Sequence, residues 1–148
     1  MEYDLVRIYR KGVDIRLSKW FHLKEFEDPS SDTDNHYTLL HPRLVDLMDE
    51  LRTLHGYPII ITSGFRTQAK NRAINGAIKS FHTIGYAADW TCSAMGVDYD
   101  NMVEKIKSWR DNGFLRWLGG FGIYRNRNFV HFDVRDRLTT VQPVMWEL

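Results

Sequence analysis

At 148 residues, with 43% hydrophobic and 26% charged residues, the chain has ordinary globular composition and enough length for one domain with a sizeable core. Its 20 basic and 19 acidic residues leave a net charge of +1, which argues against duplex nucleic acid as a partner. The single cysteine, Cys92, excludes an intramolecular disulfide, and no apolar run reaches the roughly 18 residues that a membrane span needs. The N-terminal Met-Glu-Tyr-Asp-Leu-Val-Arg lacks the basic and apolar regions of a signal peptide. A chain made in the cytoplasm, and kept there unless something else releases it, is therefore expected.

In chain order, residues 5–18 read as a hairpin, with Val13, Ile15 and Leu17 alternating with polar neighbours and Lys11-Gly12 at the turn. Trp20 to Phe26 reads as a short helix packed over the core. Residues 27–36 are rich in Asp, Ser, Pro, Thr and Asn and read as an exposed loop. Asp28, Asp32 and Asp34 lack the glycine and closing glutamate of a calcium loop, so a solvated loop is expected there. Pro42 opens the clearest helix. Leu44, Leu47, Met48, Leu51 and Leu54 keep helical spacing, and Gly56 ends it. Pro58 to Thr62 predicts a strand, Thr67 caps a second helix to about Ile74, and Asp98 caps a third with Met102, Val103, Ile106 and Trp109 inward. Residues 121–124 and 129–134 predict a hairpin across Asn126-Arg127-Asn128. Residues 139–148 are apolar enough to pack but carry no further signal.

The chemistry gathers around residues 80–90, Ser-Phe-His-Thr-Ile-Gly-Tyr-Ala-Ala-Asp-Trp. His82 and Asp89 are too far apart for a helical metal motif, and suit a loop that turns at Gly85 into a strand presenting Asp89. Later, residues 129–134 alternate, sending Val130, Phe132 and Val134 to one face and His131 with Asp133 to the other. His82, Asp89 and His131 together would suit one zinc ion with a position left open. Either histidine alone reads more simply as a hydrogen-bonded structural residue. Cys92, at the end of the Asp89 strand, reads as a small buried side chain rather than a nucleophile.

Three stretches in order decide between these readings: Ser63-Gly64-Phe65-Arg66 with Asn71 and Gly76-Ala77, then Ser-x-His-x-x-Gly-x-Ala-x-Asp over residues 80–89, then Gly-Ile-Tyr with Phe-Val-His-Phe-Asp-Val-Arg. From about Trp20 to Arg135 the chain resembles the M15 family of zinc D-Ala-D-Ala carboxypeptidases and L,D- or D,D-endopeptidases. The resemblance implies an α+β fold of the Hedgehog/DD-peptidase type, with a small, mostly antiparallel sheet and about three main helices. It implies a single domain over 1–148, to which residues 1–18 are an addition. It also implies one zinc ion on His82, Asp89 and His131.

By the same resemblance, Arg66 holds the substrate and its developing oxyanion, and Ser80 contacts the substrate. The substrate class is the stem peptide of bacterial peptidoglycan, reached by a phage endolysin through a holin or carried by a virion. Many relatives place an acid three residues before the last histidine ligand as general base. Here Asn128 stands there, and Asp133 is the nearest titratable substitute or else an orienting partner for a ligand. A non-catalytic, zinc-containing wall-binding module is the alternative that Asn128 favours.

Overall fold

A computed structural model describes residues 5–31, 35–92, 97–135 and 142–148. Strand β1 (Arg7–Arg10) is followed by a 3₁₀ turn at Leu23–Phe26, β2 (Tyr37–Leu40), α1 (Pro42–His55), β3 (Ile59–Ser63) and α2 (Gln68–Ala73). A second 3₁₀ turn at Phe81–Ile84 leads into β4 (Ala87–Cys92), then α3 (Tyr99–Asp111), β5 (Gly120–Tyr124), a third 3₁₀ turn at Arg125–Arg127, β6 (Phe129–Asp133) and β7 (Val144–Glu147). This is an α+β architecture. β3, β4, β6, β5 and β7 lie side by side in that order, antiparallel except for the parallel β5–β7 pair.

The helices form where local chemistry allows their ends to be satisfied. The His41 side chain accepts a hydrogen bond from the Arg43 amide at 3.1 Å, Pro42 costs no needed donor in the first turn, and Gly56 ends α1 at φ 82°. Thr67 accepts from the Lys70 amide at 3.0 Å to start α2, and Asp98 accepts from the Asn101 amide at 3.3 Å to start α3. Leu44, Leu47, Met48 and Leu51 form the buried stripe of α1, and each contributes on the order of 1.5–3 kcal/mol by leaving water. They pack in one cluster with Trp90, Phe132, Val130 and Ile123 of the sheet and Met102 and Ile106 of α3.

Three expectations need correction. Residues 5–18 do not form a hairpin: β1 pairs antiparallel with β2, Arg7 opposite Leu40, although Gly12 does take a left-handed turn. A strand folding back at once on residues 13–17 would have left β2 without a partner. The second correction is Asp28, which is buried rather than solvated, with its carboxylate accepting the amides of Ser30 and Thr67 at 2.8 Å each. Asp32 and Asp34 lie outside the described residues. The third is the tail, where residues 144–147 form a strand the sequence did not signal; residues 139–141 lie outside the described residues. Among the described residues, no helix is long and apolar enough to cross a membrane.

Candidate metal centre and substrate cleft

The pairing of β4 with β6 sets Asp89 directly opposite His131, and the pairing of β3 with β4 sets Ser63 opposite Asp89. Alternation then does what the sequence pattern requires. Val130, Phe132 and Val134 enter the core, while His131 joins Asp89 on the other face. His82 arrives from the 3₁₀ turn that Ser80 starts by accepting the His82 amide at 3.2 Å. Gly85 ends this turn at φ 79°, where a Cβ would also collide with the backbone of Leu39 and Leu40, so no other residue fits there.

Asp89 Oδ1 lies 3.1 Å from His82 Nε2 and 3.0 Å from His131 Nδ1, and all three residues are buried. One ligand atom from each lies within 4.8 Å of the others. The remaining nitrogen of each imidazole is already committed. His82 Nδ1 donates to the Gly64 carbonyl at 2.7 Å, and His131 Nε2 donates to Asp133 Oδ2 at 2.8 Å. In neutral rings this fixes the tautomers, so the inner nitrogens present lone pairs towards a carboxylate. In that state three acceptors face one point, an arrangement that suits a cation between them. This outer bonding is the pattern that orients metal-ligating histidines, and a donor set of two imidazoles and one carboxylate suits zinc.

The carboxylates are held in their charged forms. Burial pushes Asp89 up, but hydrogen bonds and charge interactions with His131 and His82 outweigh it and hold its carboxyl well below the usual range. Burial likewise opposes, and the Arg135 and His131 contacts overcome, so that Asp133 also stays low. For His131 burial lowers the pKa, while Asp133 and Asp89 together raise it above the ordinary value. Asp133 is fully buried and both its oxygens are engaged, Oδ1 by Arg135 Nε at 2.8 Å and Oδ2 by Arg135 Nη2 at 2.7 Å as well as by His131. It does not line the cleft.

Arg66 does line it. Its guanidinium donates to Ser63 Oγ at 3.2 Å, Asn71 Oδ1 at 3.3 Å and Asp89 Oδ2 at 3.3 Å. A guanidinium carries five donors, so three fixed contacts hold the plane while others remain for a ligand. Asn71 is held in turn by donating to the Ala77 carbonyl at 2.8 Å, which is what the Asn71 and Gly76-Ala77 pattern achieves. The cleft measures about 350 Å³ and is lined by Arg66, Lys79, Ser80, His82, Asp89, Tyr124, Arg127, Phe129, His131, Arg135 and Trp146, among others. Asn128 is exposed in a left-handed conformation at φ 61°, where it turns the β5–β6 connection, and it is not part of the lining.

Trp146 and the Arg135 clamp escaped the sequence reading. Arg135 sits in a quoted motif, two residues after Asp133, so its role was within reach. Trp146 had no local signal. Its ring lies 5.2 Å from the His131 ring, and the Arg135 guanidinium sits over the rings of Phe81 and Trp146 at 4.5 and 5.5 Å. No curated protein matches this sequence closely enough to count as a relative. The family model described as Peptidase M15 matches residues 19–133.

Proposed function

The chain belongs to the peptidase M15 family, and from that premise we propose that it is a zinc metallopeptidase hydrolysing D-amino-acid-containing peptide bonds of bacterial peptidoglycan. The observation that carries this reading is the convergence of two imidazole lone pairs and a carboxylate, each fixed from behind. His82, Asp89 and His131 would hold the ion. When bound, zinc supplies a water of lowered pKa and a Lewis acid for the scissile carbonyl.

The chain's own residues do the rest. Arg66 offers its remaining donors to the carbonyl oxygen as negative charge develops there, and its three protein contacts mean that little reorganisation is needed. Asp133 acts by holding His131 in one tautomer rather than by exchanging protons with substrate, since Arg135 and His131 occupy both its oxygens. Ser80 lines the cleft while capping the turn that carries His82, and its hydroxyl meets the amino side of the substrate. Arg66, Lys79, Arg127 and Arg135 surround a lining in which Asp89 is the one carboxylate among the described residues, a charge balance that suits an acidic stem peptide. A lytic role of the phage-endolysin type is supported by the sequence resemblance.

A second reading, a zinc-containing module that binds the wall without cutting it, draws on Asn128 and on Asp133 being fully occupied. Digestion of purified peptidoglycan by the zinc-loaded protein separates the two. New amino and carboxyl termini identified in the released fragments are the expected result. Retention on intact peptidoglycan of several chemotypes, with no new termini, would establish the module.

A further inference from the structure

The β5–β6 end of the cleft holds a phenol that none of the roles above uses. Tyr124 closes β5, stacks on Phe129 with ring centres 4.4 Å apart and planes 15° from parallel, and lines the cleft. Trp146 Nε1 reaches its hydroxyl at 2.9 Å. An indole N–H can only donate, so the Tyr124 oxygen is the acceptor in this bond. The phenol's own hydrogen has no acceptor among the described residues.

Three observations set that hydroxyl beside the reacting centre. Trp146, which fixes the hydroxyl, also packs its ring against that of His131. The indole therefore spans the gap between the phenol and the metal-ligand cluster. Tyr124 and Arg66 line the same cleft as His82, Asp89 and His131. The indole's seat is built for it as well: at Gly122 any Cβ would collide with Trp146 Nε1.

We propose that Tyr124 is a catalytic residue, donating its O–H to the carbonyl oxygen of the scissile bond opposite Arg66, and that Trp146 is the positioning residue that aims it. This rests on the peptidase reading. No proton is transferred. The hydrogen bond strengthens as the carbonyl oxygen gains charge, so it favours the transition state over bound substrate. The arrangement supplies a second oxyanion donor besides Arg66. It also gives the parallel strand β7 a part in the chemistry.

The test uses full-length zinc-loaded protein, with peptidoglycan cleavage and the affinity of a dipeptide phosphinate as tetrahedral mimic. Tyr124→Phe keeps the stack on Phe129 and removes only the hydroxyl. It is expected to lower kcat about 10²-fold with little change in KM, and to weaken the phosphinate by a similar factor, while zinc content and melting temperature stay as in wild type. Trp146→Phe keeps a ring and removes the N–H, and should cost roughly five- to tenfold, the worth of one hydrogen bond. In the Tyr124→Phe background the same change should cost nothing more, a non-additivity that a merely structural role for Trp146 would not produce. A wild type that cleaves while Tyr124→Phe cleaves and binds the phosphinate equally well overturns this proposal alone. A wild type that neither cleaves nor binds the phosphinate overturns it together with the peptidase reading.

Discussion

His131 Nε2 donates to Asp133 Oδ2 at 2.8 Å, two residues further along the same strand, and the same carboxylate receives Arg135 in two-pronged fashion. The proposed ligand, the acid that would orient it and the clamp on that acid thus occupy alternate positions along the chain. Asp133→Asn should reduce zinc affinity about 10–100-fold, as loss of such an outer partner does. Competition with a chromogenic chelator measures this. Once the site is saturated, kcat should return close to wild type. A large kcat defect at full zinc occupancy would instead make Asp133 a proton carrier.

Arg66→Ala removes a cleft donor and the partner of Asp89 Oδ2 while leaving both histidines in place. The expected outcome is a kcat loss of about 10²–10³-fold with zinc retained at one ion per chain, read by steady-state kinetics and metal analysis. Arg66→Lys should recover little of it, because an ammonium cannot reproduce the planar fork that spans Ser63, Asn71 and Asp89.

Metal removal should be visible in stability. Zinc bound only by the folded state adds about 2.7 kcal/mol at a free concentration of a hundred times its Kd. Chelation should therefore lower the melting temperature, and zinc should restore it. His82→Ala should abolish the zinc-dependent shift. A melting temperature indifferent to chelator in the wild type would remove zinc from this site.

Asp28 gives a pH test away from the metal. Burial pushes its carboxyl up, but the amides of Thr67 and Ser30, with their side chains, outweigh this, so the folded pKa is lowered. A folded pKa below the unfolded value contributes stability that is fully present above the unfolded pKa, about 3.9 for Asp, and is lost as pH falls through the folded pKa. Asp28→Asn should cost about 1–3 kcal/mol near neutrality. The gap from wild type should narrow as pH drops below about 4, measured by urea unfolding across pH. A gap independent of pH would show that the charge is irrelevant.

The elements legible in the sequence are those whose signals are local. Pro42 and Gly56 bracket α1, Thr67 and Asp98 cap α2 and α3, and the alternation over 129–134 separates core from cleft. Whatever depends on a distant partner was not legible. Lys11-Gly12 announces a turn but cannot say that β1 will choose residues 37–40 over its neighbours. Asp28 reads as a loop acid because the amide that buries it belongs to Thr67, 39 residues away. β7 has four residues and joins the sheet edge in parallel, so nothing nearby in sequence marks it or points Trp146 at His131.

The order β3-β4-β6-β5-β7 places both Asp89 and His131 on interior strands, with a neighbour on each side. Amides there exchange with solvent only when the sheet itself opens, whereas an edge such as β7 can fray at lower cost. The two strands are joined across α3 by a long stretch of chain, so their pairing is a non-local step with a loop-closure cost. The proposed ligand set would therefore not exist in a partly folded chain, and would appear only when that pairing closes. Capture of a metal would report the completion of folding, and slow hydrogen exchange at Asp89 and His131 should mark the same event.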